Sequence, residues 1–197
     1  KRTGMTYDES IYKVIVTVTD DLNGNLKAAS KIEKSIDGGT NYTDVNSIDF
    51  KNNYEPLSAT MPPLEITKVL SGDRNNGLKA GEFSFEISAN SEDGIILPTN
   101  KVVTNDANGK VQFENIKFTK AGTYVVSIKE VVPDNKVAGV TYDNHVIEST
   151  FNVTDREGQL VVTRSNTNGS QTFTNAYNTT GIVDGATNLK VTKVLEG

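Results

Sequence analysis

Apolar and polar residues alternate along several segments of the chain, which is the period of a half-buried β-strand. These segments are also rich in β-branched and aromatic residues. They are IYKVIVTVTD (11–20), GEFSFEIS (81–88), GKVQFENIKF (109–118), TYVVSIKEV (123–131) and ESTFNVTD (148–155). Between them lie turn-forming sequences rich in Asn, Asp and Gly. The pattern predicts an all-β protein, with the many short strands of an immunoglobulin-like sandwich.

Helix signals are weak. The best candidate is LKAASKIEKSI (26–36), which contains several helix-forming residues between two turn sequences. Two interpretations are open for this segment, a short helix or a long irregular loop.

Four motifs occur twice in the chain and keep the same order, which is the signature of a repeat protein. The pairs are GMTYD (4–8) with GVTYD (139–143), VTD (18–20) with VTD (153–155), FKNNY (50–54) with FTNAY (173–177), and LEITKVLSG (64–72) with LKVTKVLEG (189–197). Only the loops between the motifs differ in length. We therefore expect immunoglobulin-like β-sandwich repeats arranged end to end.

The motif pairs also set a domain map. Residues 1–56 are predicted to be the C-terminal half of one repeat, and 57–63 a proline-containing linker. Residues 64–180 form one complete repeat, and 181–197 are a second linker with the first strand of a following repeat. The half-repeat lacks early strands, so we expect it to borrow strands from another chain or to belong to a larger molecule.

Composition excludes several classes of function. The net charge is −5 without a cluster of Lys and Arg, which disfavours nucleic acid as a partner. No apolar run reaches membrane-spanning length, and neither end resembles a signal peptide, so we expect an export signal and a wall anchor outside this segment. There is no cysteine and only one histidine, His145. Disulfides, thiolate chemistry and multi-histidine metal sites are therefore excluded, and no cofactor or metal is predicted.

Three polar side chains fall on apolar strand faces, because side chains two residues apart share a face. They are Lys68, Glu130 and Asn175. Their predicted face neighbours are Leu64, Ile66 and Leu70 for the lysine, Tyr124, Val126 and Ile128 for the glutamate, and Phe173 and Tyr177 for the asparagine. Each polar group would be costly to bury alone, by several kcal/mol for an unpaired charge.

Two interpretations fit such a cluster. One is a buried salt bridge between Lys68 and Glu130, with Asn175 as a hydrogen-bond partner. The other is chemistry. Desolvation disfavours the charged form of both partners, so proton exchange can leave a neutral amine and a neutral acid. The amine of Lys68 would then attack the carboxamide of Asn175, while Glu130 donates to the amide oxygen and passes a proton to the departing ammonia.

The ordered motifs TKVL, KAGEFSFEI, GKVQFENIKFTKAGTYVVSIKEV, GVTYD, VTD and FTNAY resemble the streptococcal pilin isopeptide-linkage domain of the FctA-like major-pilin type. The resemblance covers 64–180 and both flanking fragments. It implies an immunoglobulin-like fold with a self-formed Lys68–Asn175 isopeptide bond, promoted by Glu130 in cis. It also implies that Asn52 and Lys193 are the equivalent residues of the partial repeats, with partners mostly outside this sequence.

The functional expectation is structural. We expect a stalk or shaft repeat of a Gram-positive cell-surface protein or pilus. The chain lacks the YPK motif through which a sortase would join pilin subunits, which favours a stalk in a wall-anchored adhesin over a polymerising pilin subunit. Glu130 would act once, so the chain is not expected to be a turnover enzyme. Expected partners are neighbouring repeats and a host surface ligand held by a distal domain, with neither nucleic acid nor membrane. The alternative is an adhesin module that binds a host ligand directly through its loops.

Overall fold

A computed structural model describes residues 1–168, 170–181 and 192–195, without the side chains of 166–168. These residues contain seventeen strands. The strands are β1 (Met5–Thr6), β2 (Ile11–Asp20), β3 (Leu26–Ser35), β4 (Thr43–Val45), β5 (Asn53–Tyr54), β6 (Ala59–Met61), β7 (Leu64–Gly72), β8 (Ser84–Ala89), β9 (Ile95–Ile96), β10 (Val102–Thr104), β11 (Lys110–Phe113), β12 (Ile116–Phe118), β13 (Gly122–Val131), β14 (Val140–Thr141), β15 (Val146–Arg156), β16 (Gln159–Asn168) and β17 (Thr172–Tyr177). Nowhere in these ranges is there a helix that could span a membrane.

The chain divides into two compact units. Unit 1 contains residues 1–58 and 155–161, and unit 2 contains 59–154 and 162–197. The fold is all-β in both, as the sequence predicts.

Unit 2 is an immunoglobulin-like β-sandwich. One sheet has five strands in the order β10-β8-β13-β15-β16, and the facing sheet has four in the order β11-β7-β17-β14. A smaller sheet, β6-β12-β9, completes the unit. Ring contacts join the layers, since the centroids of Phe85 on β8 and Phe173 on β17 are 5.2 Å apart. The alternating faces of the strands therefore meet in one apolar core.

Strands β7 and β17 are direct neighbours in the four-stranded sheet. They contain the first and the last of the four repeated motifs in residues 64–180. They pair in parallel, with Phe173 opposite Lys68 and Asn175 opposite Leu70. Most other pairings in this unit are antiparallel. The two ends of the repeat therefore lie side by side, which is the arrangement that a cross-link between them needs.

Unit 1 contains a three-stranded sheet, β2-β3-β4, and a two-stranded sheet, β1-β5. The helix-or-loop interpretation of 26–36 is wrong, because Leu26–Ser35 forms strand β3. This strand pairs antiparallel with β2 over ten residues, from Ile11 opposite Ser35 to Asp20 opposite Leu26. The long cross-strand ladder overrides the local helix preference of Lys, Ala and Glu.

One face of β2 is open. Val14, Val16 and Val18 are 51%, 60% and 55% exposed. The corresponding positions of β15, by the offset of the VTD motifs, are buried in unit 2. The expectation that the half-repeat is completed by other strands stays a prediction.

The domain map stays a prediction, and the structure describes only part of the flanking segments. The linker 57–63 contains strand β6, which pairs with β12 so that Met61 lies opposite Ile116 and Ala59 opposite Phe118. Strand β6 is therefore part of the sheet β6-β12-β9 of unit 2. The predicted first strand of a following repeat (189–197) lies largely outside the described residues, and 192–195 form no regular strand.

Candidate functional site

The three polar residues singled out in the sequence meet inside the sandwich of unit 2. Lys68 lies on β7 and Asn175 on the adjacent parallel strand β17. Glu130 lies near the end of β13 in the facing sheet. Side chains alternate between the two faces of a strand, and near the cluster buried positions alternate with more exposed ones. Lys68, Glu130 and Asn175 occupy buried positions, so their side chains point into the sandwich.

Glu130 bridges the other two residues. Its Oε2 is 2.8 Å from Nζ of Lys68, and its Oε1 accepts a 2.6 Å hydrogen bond from Nδ2 of Asn175. One carboxyl group therefore contacts both the amine and the carboxamide nitrogen. This is the arrangement required of a group that moves a proton between them.

The cluster is shielded from water. Lys68, Glu130 and Asn175 are 1%, 6% and 0% exposed. The aromatic rings of Phe83 and Phe85 lie beside the ammonium group, with their centroids 4.5 and 5.8 Å from Nζ. Burial lowers the pKa of Lys68 below its ordinary value, although the hydrogen bond and charge of Glu130 oppose this. The site therefore favours a neutral amine more than water does.

The orientation of the Asn175 amide differs from the sequence-based expectation. Glu130 was expected to donate to the amide oxygen, but it contacts the amide nitrogen instead. The oxygen, Oδ1, accepts a 2.8 Å hydrogen bond from the backbone N–H of Asp143. Because a backbone N–H can only donate, it must face the oxygen, and this turns the nitrogen toward the carboxyl group.

Asp143 lies in the loop between β14 and β15, and its carboxylate ties this loop to β17. Its Oδ2 accepts a hydrogen bond of 2.7 Å from the backbone N–H of Thr174, the residue before Asn175. Its Oδ1 accepts from the backbone N–H of His145 at 3.1 Å and lies 2.7 Å from that histidine's Nδ1. We call Asp143 and these hydrogen bonds the aspartate clamp. It fixes where the Asp143 N–H points.

Unit 1 contains a second copy of this clamp. The backbone N–H of Asp8 donates to Oδ1 of Asn52 at 3.0 Å, and the N–H of Lys51 donates to Oδ2 of Asp8 at 2.9 Å. Ser10 supplies the remaining backbone donor, at 2.8 Å from Oδ1 of Asp8. Asn52 itself is exposed and has no hydrogen bond to a lysine or glutamate among the described residues. Lys193, the other partial-repeat residue, is also exposed.

Sequence reasoning missed Asp143 as part of the site. The signal was present, since the aspartate closes the repeated motif GMTYD and GVTYD. A backbone donor has no side-chain signature, so its target could not be read from the motif. His145 is half-buried and stacks on Phe173 with ring centroids 4.3 Å apart.

The site contains the chemical groups for amide exchange. It provides an amine, a carboxamide, a carboxyl group touching both nitrogens, and a donor on the carbonyl oxygen. Within the described residues, no group of three or more His, Asp or Glu side chains is arranged to hold a metal ion.

No curated protein matches the chain. Among solved structures, the major pilin protein (T3.2) of Streptococcus pyogenes serotype GAS13637 is similar, with 20% identity and a TM-score of 0.25. The match covers 90% of this chain, which spans 64% of the length of that pilin chain.

One family model matches the chain over two segments, residues 1–55 and 64–178. It describes the FctA family, the Spy0128-like isopeptide containing domain. The second segment contains Lys68, Glu130 and Asn175, and the first contains Asn52. Since the matched residues make up most of the sequence and include the whole buried cluster, the chain belongs to the FctA family of Spy0128-like isopeptide containing domains.

Proposed function

We propose that unit 2 forms an intramolecular isopeptide bond between Lys68 and Asn175, and that the chain is a structural repeat in the shaft of a surface fibre. The observation that carries the proposal is the buried carboxyl group of Glu130, which contacts Nζ of Lys68 at 2.8 Å and Nδ2 of Asn175 at 2.6 Å. Membership of an isopeptide-containing family supports it independently.

The reaction begins with a proton transfer. Moving a proton from Lys68 to Glu130 across their contact leaves a neutral amine and a neutral carboxylic acid. Burial favours this transfer, because both charged forms lose their hydration. The lone pair of Nζ can then attack Cγ of Asn175, forming a new C–N bond and placing negative charge on Oδ1.

Glu130 completes the exchange. Its acid proton passes to Nδ2 of Asn175, the Cγ–Nδ2 bond breaks, and ammonia leaves. The carboxylate then takes the excess proton from Nζ. The products are a secondary amide, ammonia and a protonated Glu130, so no charge remains buried. The glutamate acts once for each molecule, which is self-maturation and not turnover.

A structural role follows from where the bond would lie. It would join the neighbouring parallel strands β7 and β17, whose residues open and close the repeat. Tension along a fibre would then pass through the covalent link and bypass most of the domain. We place the protein at the surface of a Gram-positive cell, with neighbouring repeats as its partners.

Peptide mapping of the folded 197-residue chain tests the proposal. Digestion followed by mass spectrometry is expected to give one branched peptide that joins the segment of Lys68 to the segment of Asn175. Glu130→Ala removes the proton carrier, so its digest should contain the two segments as separate peptides.

The surface pair of Glu86 and Lys129 provides matched controls. Their side chains form a 2.9 Å ion pair that links β8 to β13. Lys129 directly precedes Glu130 in the sequence, but both side chains of the pair are accessible to solvent. Glu86→Ala and Lys129→Ala should keep the branched peptide. Separate peptides in the wild-type digest would contradict the proposal.

Direct binding of a host ligand by the loops stays a prediction. An immobilised host matrix protein, probed with the wild-type chain, would reveal it.

A further inference from the structure

We propose that the aspartate clamp supplies the oxyanion donor of the Lys68–Asn175 reaction. The backbone N–H of Asp143 stabilises the charge that develops on Oδ1 of Asn175, and the Asp143 carboxylate is the positioning group that holds this N–H in place. The inference rests on the proposed function and assigns a role to a residue outside the Lys68, Glu130 and Asn175 cluster.

The first reason is the geometry at Oδ1. When an amine attacks a carboxamide carbon, negative charge moves onto the oxygen, and a fixed donor there lowers the barrier. The Asp143 nitrogen is 2.8 Å from that oxygen, within the range of oxyanion donors. Glu130 cannot fill this role in the observed orientation, because its Oε1 faces the amide nitrogen.

The second reason is that hydrogen bonds from two other residues hold Asp143, and with it the N–H donor, in place. The carboxylate of Asp143 accepts hydrogen bonds from the backbone of Thr174 and of His145. Partial burial alone would raise the pKa of Asp143, but hydrogen bonds from His145 and Thr174 outweigh it and hold the pKa below its ordinary value. The clamp is therefore ionised and complete at neutral pH.

The third reason is the copy in unit 1. Asp8 holds Asn52 through the same kind of contacts, although Asn52 has no hydrogen bond to a lysine or glutamate within the described residues. The clamp therefore forms without the other reacting groups. It orients the asparagine amide in advance, which is what preorganised catalysis requires.

The test measures the rate of cross-linking in the whole chain. Protein purified under denaturing conditions is refolded by dilution, and intact mass at successive times gives the fraction that has lost one ammonia. Resistance to protease, measured on the same samples, gives the folded fraction. Asp143→Ala removes the clamp, and Asp8→Ala is the matched control that removes its copy in unit 1.

We expect Asp143→Ala to slow ammonia loss by about 100-fold per folded molecule, the size of effect seen when an oxyanion donor is removed or misplaced. Asp8→Ala should react at the wild-type rate. Asp143→Asn keeps one acceptor oxygen but meets the second backbone N–H with an NH₂ group, so an intermediate rate is expected. That rate decides the question if Asp143→Ala does not fold.

The outcomes separate this inference from the proposed function. A wild-type chain that never loses ammonia would sink the proposed function itself. A wild type that cross-links while folded Asp143→Ala and Asp143→Asn do so equally fast would overturn only the role of the clamp. Equal slowing by Asp8→Ala would also overturn it, since the effect would then reflect general stability.

Discussion

At the scale of single residues, the buried lysine is the feature that most needs an explanation. Lys68 is 1% exposed and forms an ion pair with Glu130. A buried ion pair is often no more stabilising than apolar residues of the same volume, because both charges lose their hydration. A reaction that converts the amine to a neutral amide removes this cost. The reaction would therefore explain why a lysine is buried here, which a contribution to stability does not explain.

The pH dependence of unfolding tests the state of Lys68 before reaction. Burial lowers the pKa of Lys68 below its ordinary value of 10.5, and we expect Asn175→Ala, which cannot form the bond, to keep this lowered folded pKa. Between these values the unfolded chain binds more protons than the folded chain, so the free energy of unfolding should rise with pH up to about 10.5. The cross-linked wild type has no titrating amine at this position and should lack this contribution.

Denaturant unfolding of both proteins over a series of alkaline pH values measures the difference. Other lysines and the tyrosines titrate in both proteins and cancel when the two curves are subtracted. If intact mass shows that the wild type has lost one ammonia, identical pH dependence in the two proteins would contradict a lowered pKa of Lys68.

Strand alternation was enough to predict the three buried side chains of the site, but it gave no sign of Asp143. Lys68, Glu130 and Asn175 each sit on an inward face, and the structure brings all three together. The orientation of the Asn175 amide could not be predicted. It depends on the backbone N–H of Asp143, which reaches β17 only after the loop has folded.

At the scale of elements, the tight turn before β11 fixes the position of the lysine. The backbone N–H of Lys68 donates to the carbonyl of Gly109 at 2.6 Å. Gly109 has φ of +84°, and a β-carbon there would lie against the carbonyl oxygen of Lys68. Only glycine allows β7 and this turn to approach so closely.

Gly109→Ala should therefore disturb the site from outside it. We expect cross-linking to slow by about 10- to 100-fold, because the added methyl group displaces the Lys68 backbone from its position between β11 and β17. Gly77→Ala is the control, since Gly77 also has positive φ, +54°, but open space around it. Both changes carry the strain of a left-handed residue, about 1–2 kcal/mol. If both slow the reaction equally by intact mass, backbone strain and not displacement is the cause.

Local sequence predicted several of the longer strands but not their partners. The segment 109–118 was predicted as one strand, whereas β11 and β12 enter different sheets around Glu114 and Asn115. Strand β3 was missed because its Lys, Ala and Glu residues carry no strong strand preference. Its ten-residue pairing with β2 decides its structure, and such pairing is invisible in a local pattern.

At the scale of the whole molecule, the cross-link would close a long loop. It would enclose the chain between Lys68 and Asn175, and these residues lie on adjacent parallel strands. A force that enters at β7 and leaves at β17 would otherwise load the hydrogen bonds between these two strands. With the bond in place, the covalent link would carry that load.

The gain in stability follows from the size of the loop. By analogy with a disulfide that closes roughly 100 residues, the bond should raise the free energy of unfolding of unit 2 by about 4–5 kcal/mol. Lys68→Met lacks the bond and should unfold at lower denaturant concentration, to a more expanded chain. Lys129→Met, at an exposed lysine, should behave as wild type. Equal hydrodynamic radii for unfolded wild type and Lys68→Met would contradict the cross-link.

The intact mass of the wild-type chain tests the central claim most directly. After refolding and complete unfolding in denaturant, the chain should be lighter than its sequence by the mass of one ammonia, and Glu130→Ala should have its full sequence mass. A wild-type chain at full sequence mass would contradict the account, and Lys68, Glu130 and Asn175 would then be a buried hydrogen-bonded ion pair with no reaction between them.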